Sequence, residues 1–435
     1  RAAKVFSLNS GSPAYTIHRR IYREKSFSGV EGQFNLNDNL YTDTLFMVDE
    51  ASMIANMGLG GMSFGSGCLL DDLVHFVYQG RNDRLLLIGD KAQLPPVGEE
   101  ESPALHAAML EGYGLKVYEC DLNEVLRQSE ESGILYNATM IRQMITHDDI
   151  TQLPKIHFAG YSDIKPMPGA ELIEALADSY HHVGLDDTIV VTRSNKRANI
   201  FNQGIRNMVL DREEELSQGD ILMIVKNNYY WMEEERKKIK EKEIEERRVK
   251  SEGTESGTAT HKVQSSKFQV QSNDIPAFLA NGDRAKVLKV RRRIDLYGFR
   301  FATLLLQFPD YGNYELEATV LLDTLTSEAP ALTHEQQEQL FHQIEEDYQD
   351  IPLKADRMKA IRQDQFFNAL QVKFAYAVTC HKAQGGQWAH VYVDQGYMTD
   401  DMLNPDYIHW LYTAFTRATE MLYLVNWPET QTALE

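Results

Sequence analysis

Short apolar runs that stop abruptly at polar residues recur along this chain and constrain its fold more than any other feature. Helix-like stretches separate these runs, and buried runs that alternate with helices are typical of parallel sheets in α/β domains. Ligands of such sheets bind at the carboxyl ends of the strands, which is where the polar residues fall. The sequence therefore predicts α/β domains with a site at those strand ends. The runs are Leu45–Val48, Leu85–Ile88, Ile189–Thr192, Val391–Val393 and Leu422–Val425.

Length, charge and cysteine content limit the function classes. The chain has 435 residues, enough for about three domains. Its 44 Lys and Arg against 64 Asp and Glu give a net charge of −20. This balance argues against a nucleic-acid coat protein but allows a local basic channel. Cys68, Cys120 and Cys380 lie far apart, which indicates a reducing compartment, the cytoplasm. No apolar run is long enough to predict a membrane span.

Two segments depart from the α/β pattern. Residues 232–273 mix both charge signs densely and then become rich in Gly, Ser and Thr, which predicts a charged flexible insertion. The chain then alternates polar and apolar residues between glycine turns, which predicts a small antiparallel barrel, and a polar helical segment follows. We therefore expect residues 275–369 to form a barrel and a helical return segment, inserted into the second α/β domain.

The run Leu45–Val48 is followed by two adjacent carboxylates, Asp49 and Glu50. A strand that ends in Asp-Glu is the Walker B arrangement of nucleotide hydrolases. There the Asp holds Mg²⁺ and the Glu polarises the attacking water. The alternative is an ordinary helix start, because acidic residues favour a first helical turn. The pair alone leaves both interpretations open.

Two further strings contain residues that suit phosphate chemistry. Gln93 follows a strand end, and its amide both donates and accepts hydrogen bonds, so it can sense a γ-phosphate. An exposed turn is the alternative there. Thr379 and His381 follow another strand end, just before Gly385-Gly386. Hydroxyl, imidazole and exposed backbone amides suit phosphate contact, although a lone His is more often structural.

Two arginines are candidates for charge stabilisation. Arg417 lies on the helix before the last strand, away from the apolar face of that helix, and Arg127 follows "LNEVL". A guanidinium that neutralises transition-state charge can contribute ~10³–10⁵ in rate. The alternative for each is a surface arginine or a salt bridge.

Taken in order, these strings resemble the motifs of helicase superfamily 1, in its 5′→3′ branch 1B typified by RecD and the phage Dda helicase. The first segment, "RAAKVFS…TIHRRIY", is similar to motif Ia. The later matches are "FMVDEASM" with motif II, "IGDKAQLPPVG" with motif III, "EVLRQ" with motif IV, "VTCHKAQGGQW" with motif V and "YTAFTRATEMLYLV" with motif VI. The resemblance covers nearly the whole chain.

The resemblance implies an α/β fold of two RecA-like P-loop NTPase domains with parallel sheets, ATP between them, and an inserted SH3-like barrel. Motor domain 1 is expected over residues 1–130. Motor domain 2 is expected over residues 131–225 and 370–435. Residues 25–39 fall where these enzymes place a strand-separating hairpin.

Roles for single residues also follow from the resemblance. Asp49 would coordinate Mg²⁺, and Glu50 would act as the general base. Gln93 would couple the γ-phosphate to domain movement, while Arg127 and Arg417 would stabilise the transferring charge. Gly385 and Gln387 are expected near the nucleotide, although many relatives have Glu where this chain has Gln387. The expected contacts to DNA phosphates are Thr16, His18, Asn195, Thr379 and His381.

The implied function is an ATP-dependent 5′→3′ DNA helicase or translocase that uses ATP and Mg²⁺ and acts on single-stranded DNA and duplex junctions. Replication, repair or nuclease proteins are its expected partners. Three alternatives stay open: an RNA-directed superfamily 1 helicase, the motor subunit of a helicase–nuclease complex, and a catalytically inactive nucleic-acid-binding module.

One departure from the family pattern generates a prediction. The Gly-rich phosphate loop, GxxxxGK[ST], does not occur in this sequence. Motif order places it about 20–40 residues before Arg1, so we expect the chain to be part of a longer parent. Its Lys and Ser or Thr would contact the β- and γ-phosphates and Mg²⁺. Residues 1–435 alone should therefore hydrolyse ATP poorly or not at all in a phosphate-release assay, and robust DNA-stimulated hydrolysis would contradict this.

Overall fold

The computed structural model describes residues 6–7, 10–27, 32–57, 64–122, 131–252 and 278–433. The chain divides into two compact units, one of residues 1–213 with 376–435 and the other of residues 214–375. All the candidate site residues belong to the first unit.

The elements are named here in chain order. The first unit begins with α1 (Ile17–Ile21), β1 (Tyr22–Phe27), β2 (Gly32–Leu36), β3 (Leu45–Val48), α2 (Leu69–Gln79), β4 (Arg84–Leu87), α3 (Ala107–Glu111), α4 (Gly133–Thr146), β5 (Ile164–Met167), α5 (Leu172–His182), β6 (Thr188–Thr192) and α6 (Asn195–Gly204). The second unit contains β7 (Ile221–Ile224), α7 (Tyr230–Glu252), β8 (Arg284–Leu296), β9 (Phe299–Phe308), β10 (Tyr314–Leu321), α8 (His334–Asp347), α9 (Lys354–Arg362) and β11 (Leu370–Phe374). The first unit then resumes with β12 (Ala377–Thr379), α10 (Cys380–Ala383), β13 (Trp388–Asp394), α11 (Pro405–Phe415) and β14 (Ala418–Val425).

The N-terminal part of the first unit contains two sheets among its described residues. Strands β3 and β4 pair in parallel, which is the arrangement that their apolar runs predict. Helix α2 buries Leu70, Leu73, Val74 and Val77, residues spaced along one helical face. Strands β1 and β2 pair antiparallel, as a hairpin over residues 25–39 requires. The strand-separating role of that segment stays a prediction.

The C-terminal part of the first unit is built on a parallel sheet. Its described strands follow the order β12-β6-β13-β14-β5, and every pair in that order runs parallel. Strand β6 is buried along its whole length because neighbouring elements cover both faces. Helix α11 begins with an Asn404 cap and Pro405 at its first turn, and Tyr407 through Phe415 are buried. The predicted α/β architecture is therefore confirmed.

The second unit contains a closed barrel with the strand order β10-β11-β7-β8-β9. The sequence assigns β7 and β11 to motor domain 2, and the structure corrects this by placing both strands in the barrel. All four residues of β7 are buried. A fully buried apolar run has the same local pattern as a strand of a parallel sheet. Hydrophobic periodicity therefore could not distinguish a barrel strand from a strand of the motor-domain sheet. One barrel pair, β10 with β11, is parallel rather than antiparallel.

The remaining predicted segments are partly described. Helices α8 and α9 occupy the predicted polar return segment. Helix α7 covers the first part of the charged insertion 232–273, and residues 253–273 of that insertion lie outside the described residues. Within the described stretches, no helix is both long and apolar enough to cross a membrane.

Candidate functional site

The Asp49-Glu50 pair forms a tight turn at the carboxyl end of β3. The Asp49 Oδ1 atom accepts a hydrogen bond from the Glu50 amide at 2.9 Å. Glu50 has a left-handed backbone, with φ 52° and ψ 40°. That conformation costs about 1 kcal/mol or more for a residue other than glycine, and such costs cluster at functional sites. A 3₁₀ turn, Ala51–Met53, follows, so Glu50 is not the start of an ordinary α-helix.

The strand end of β4 lies directly against this turn. The Ala51 amide donates to the Ile88 carbonyl at 2.9 Å. A Cβ atom built on Gly89 would lie 2.9 Å from the Ser52 backbone nitrogen, which is closer than Cβ atoms pack. Glycine at position 89 therefore allows the backbone after β4 to approach the backbone after Glu50.

The segment that follows, Asp90–Leu94, is bonded to the C-terminal part of the same unit. The Leu94 amide donates to Thr413 Oγ1 at 2.9 Å, and Gln384 Nε2 donates to the Leu94 carbonyl at 3.0 Å. The His409 ring contributes a further contact, with Nδ1 2.9 Å from the Ala92 carbonyl oxygen. A carbonyl only accepts, so Nδ1 carries the proton in this arrangement. Motif III is thus anchored to motifs V and VI.

Gln93 lies in the middle of this anchored segment. Its side-chain Oε1 atom is buried and accepts no hydrogen bond from the residues that the structure describes. Leaving a buried acceptor unpaired costs about 1–3 kcal/mol, so such a group is often one that meets a ligand. A phosphate oxygen also only accepts, so this Oε1 atom cannot bond it; the predicted γ-phosphate contact would need the Nε2 donor of Gln93 and stays a prediction.

Motif V brings the C-terminal part to the Glu50 carboxylate. Strand β12 ends at Thr379, α10 follows, and Gly385 has a φ of +69°, a conformation that favours glycine. A Cβ atom built on Gly385 would lie 3.6 Å from Glu50 Oε1. Two predicted nucleotide-site residues, 335 positions apart in the sequence (385 − 50), therefore lie next to each other.

Arg417 lies inside the protein rather than on its surface, with only 3% of the residue exposed. Its Nη1 atom donates to the Gly386 carbonyl at 3.1 Å, and its Nε atom donates to the Thr413 carbonyl at 2.9 Å. Its Nη2 atom donates to Thr416 Oγ1 at 3.0 Å. The guanidinium thus adjoins the second glycine of motif V, and Glu50 adjoins the first. Catalytic participation of Arg417 stays a prediction.

The other predicted residues are dispersed. Thr16 caps α1, since its Oγ1 accepts from the Arg19 amide at 3.4 Å. The His18 ring packs edge-on against Phe64, with ring centroids 5.2 Å apart, and burial lowers the pKa of His18. Among described residues, no hydrogen bond joins either of them to Thr379 or His381.

Two more predicted positions are accessible to solvent, and one cannot be placed. His381 is exposed on α10, although surrounding protein lowers its pKa by desolvation. Gln387 is exposed, and Asn195 begins α6 directly after the Ser194 cap. Arg127 lies outside the described residues.

Sequence reasoning missed several residues that shape the site. Gln384 lies within the motif V string and Tyr412 within the motif VI string, so both could have been named. Arg142 on α4 carries no local signal, because its partner Asp90 lies 52 positions away. Lys382 is also notable, since burial lowers its pKa to about 8.

The donor set at the Asp49 turn fits a magnesium ion that arrives with a nucleotide. Among the described residues, no group of three or more His, Cys, Asp and Glu side chains is placed to hold a metal. Magnesium is usually held by one or two carboxylates together with substrate phosphates. Asp49, exposed beside Glu50, can supply a carboxylate of this kind.

Comparison with known families agrees with this geometry. Residues 1–153 match the family model described as an AAA domain. Residues 374–425 match the model described as the UvrD-like helicase C-terminal domain. The fold is therefore that of an ATP-dependent helicase motor with two RecA-like domains and an inserted barrel. These matches agree with the predicted resemblance to helicases, and the assignment to branch 1B of superfamily 1 stays a prediction.

Solved structures with similar chains include Pif1 helicases. Pif1 from Candida albicans is 13% identical with a TM-score of 0.41, and the match covers 90% of this chain and 73% of that one. Pif1 from Bacteroides in complex with ADP-AlF3 and ssDNA is 12% identical with a TM-score of 0.44, covering 100% and 83%. These TM-scores are too low to carry an inference about function.

The close approach at Gly89 generates a prediction. Gly89→Ala should lower the stability of the first unit by about 1–3 kcal/mol, because the added methyl group pushes the backbone after β4 away from Ser52. Thermal unfolding would measure the effect. Gly204→Ala is the matched control, since a Cβ atom there meets nothing within 4 Å. An unchanged melting temperature for Gly89→Ala would contradict the close packing of motifs II and III.

Proposed function

We propose that the protein is an ATP-dependent DNA helicase that moves 5′→3′ along single-stranded DNA. The observation that carries the proposal is the position of Glu50 beside Gly385, with Arg417 bonded to Gly386. A carboxylate from the N-terminal part and a guanidinium from the C-terminal part thus adjoin one glycine pair. Terminal phosphate transfer needs both kinds of group around one substrate.

The residues divide the hydrolysis step between them. Asp49 would hold Mg²⁺, which neutralises phosphate charge when it is bound. Glu50 would orient the attacking water and accept its proton. Gln93 would sense the γ-phosphate through its Nε2 donor, and Arg417 and Arg127 would stabilise the charge on the transferred group. Gly385 and Gln387 would border the nucleotide.

The strand would cross the first unit along Thr16, His18, Asn195, Thr379 and His381. Hydroxyl and imidazole groups at a strand end or helix start suit phosphate contacts, which fix position without reading sequence. Single-stranded DNA is the proposed ligand because the motif strings resemble those of DNA helicases. The 5′→3′ direction rests on the same resemblance to branch 1B.

The cellular setting follows from the same reasoning. Duplex junctions would be the working substrate, with replication, repair or nuclease proteins as partners. Cys68, Cys120 and Cys380 are free, which suits a cytoplasmic protein.

Binding of labelled oligothymidylate to residues 1–435 tests the strand path. Fluorescence anisotropy should show affinity that falls steeply with salt, with a log–log slope of about −0.7 for each phosphate contacted. Thr379→Ala and His381→Ala should each weaken binding several-fold. Thr146→Ala, an exposed threonine on α4, is the matched control.

Three outcomes would count against the proposal. A DNA affinity that does not change with salt concentration would contradict a path of phosphate contacts. An equal loss of affinity in Thr146→Ala would contradict the proposed location of that path. Tighter binding of oligouridylate than of oligodeoxyuridylate would instead favour an RNA-directed helicase, because these two strands differ only in the 2′-hydroxyl.

A further inference from the structure

The carboxylate of Asp90 lies at the centre of a cluster that joins three distant segments. Asp90 is the third residue after β4. Its Oδ1 atom accepts from Arg142 Nη1 on α4 at 2.7 Å, and its Oδ2 atom accepts from Tyr412 Oη on α11 at 2.8 Å. Arg142 Nη1 also donates to Tyr412 Oη at 3.0 Å. Each of the three side chains therefore contacts the other two.

The protonation states at neutral pH favour this arrangement. Burial alone would lower the pKa of Arg142, but Asp90 and Tyr412 raise it overall, so the guanidinium stays charged. Burial and the Asp90 carboxylate raise the pKa of Tyr412 to about 12, so its hydroxyl keeps the proton that it donates. Hydrogen bonds between charged partners are stronger than those between neutral groups.

The cluster fixes one end of the segment that carries Gln93. Asp90 Oδ1 also accepts from the Ala92 amide at 3.0 Å, so the carboxylate folds the segment back on itself. The other end is held at Leu94 by Thr413 and Gln384. Gln93 lies between these two attachment points, which leaves its backbone little freedom to move alone.

We propose that Arg142 and Tyr412 are positioning residues that hold the Asp90–Leu94 segment, and through it Gln93, on the part of the first unit that carries Thr379 and His381. The inference rests on the function proposed above. Both residues act through Asp90. Their effect on the Gln93 side-chain amide, the predicted phosphate sensor, is therefore indirect. A displacement of Gln93 then moves α4 and α11 with it, and these helices pack in the same part as the predicted strand contacts.

Hydrogen exchange of residues 1–435, followed by mass spectrometry, tests the positioning role without nucleotide or DNA. Tyr412→Phe keeps the ring and removes the hydroxyl that bonds to both Asp90 and Arg142. Amides of Ala92, Gln93 and Leu94 should then exchange about tenfold faster or more, as expected for the loss of a hydrogen bond to a charged group. Peptides from β13 and β14 should be unchanged.

A matched control and a rescue variant make the result specific. Tyr136→Phe alters a tyrosine on α4 whose ring packs on His157 and Tyr161, so it should leave exchange in the motif III segment unchanged. Arg142→Gln should raise exchange at the same three amides as Tyr412→Phe. Arg142→Lys should restore most of the protection, because an ammonium can still pair with Asp90.

Either of two results would overturn the inference. One is unchanged exchange at Ala92–Leu94 in both Tyr412→Phe and Arg142→Gln. The other is equally faster exchange throughout β13 and β14, which would mean that the cluster only stabilises the fold. Failure of the unaltered protein to bind oligothymidylate would reject the proposed function instead. The hydrogen-exchange comparison tests the positioning role of Arg142 and Tyr412 independently of DNA binding.

Discussion

The rest of the site depends on the approach of two glycine segments to the turn that carries Glu50, one to its backbone and one to its carboxylate. Gly89 lets the end of β4 approach Ser52, and Gly385 lets motif V approach the Glu50 carboxylate. A side chain at position 89 would occupy the space between these backbones, whereas at position 385 it is the φ of +69° that favours glycine. Glu50 itself holds a left-handed backbone at the turn, a cost of about 1 kcal/mol or more that the surrounding packing must offset.

Buried hydrogen bonds hold the C-terminal part of the first unit in position against that turn. Thr413 and Gln384 fix Leu94, while Arg417 ties α11 to the Gly386 carbonyl. These groups are inside the protein, where an unpaired donor or acceptor costs about 1–3 kcal/mol, so each bond is strongly favoured once its partners are close. Motifs II, III, V and VI thereby form one connected region, and Gln93 keeps an acceptor in it that no described residue uses.

Local sequence pattern was sufficient for much of the fold, and it indicated the residues that are proposed for the site. The apolar runs at β3, β4, β6, β13 and β14 became parallel strands, although β3 and β4 alternate exposed and half-buried residues instead of being buried as predicted. Polar residues after those strands identified Asp49, Glu50 and Gln93. Pairing between distant segments was harder to predict. The strands β7 and β11 look like members of the motor sheet but close the barrel, since strand register is set by tertiary partners.

The same limit applied to side chains whose role comes from a distant partner. Arg142 has nothing in its own helix to distinguish it from a surface arginine, and only the fold brings Asp90 to it. Arg417 was predicted to lie on the last helix, off its apolar face, but it follows the end of α11 at Phe415 and its guanidinium is buried against backbone carbonyls. Hydrogen-bond partners of this kind follow from chain topology rather than from residue spacing.

Steady-state ATP turnover by a form of the protein that carries a Gly-rich phosphate loop ahead of Arg1, compared between Glu50→Gln and Glu100→Gln, tests the shared nucleotide site most directly. Glu50→Gln keeps the shape of the side chain but removes the base, so kcat should fall about 100-fold or more. Glu100→Gln alters an exposed carboxylate and should leave kcat unchanged. Turnover by Glu50→Gln at the rate of the unaltered protein would contradict a hydrolysis site where Glu50 meets Gly385.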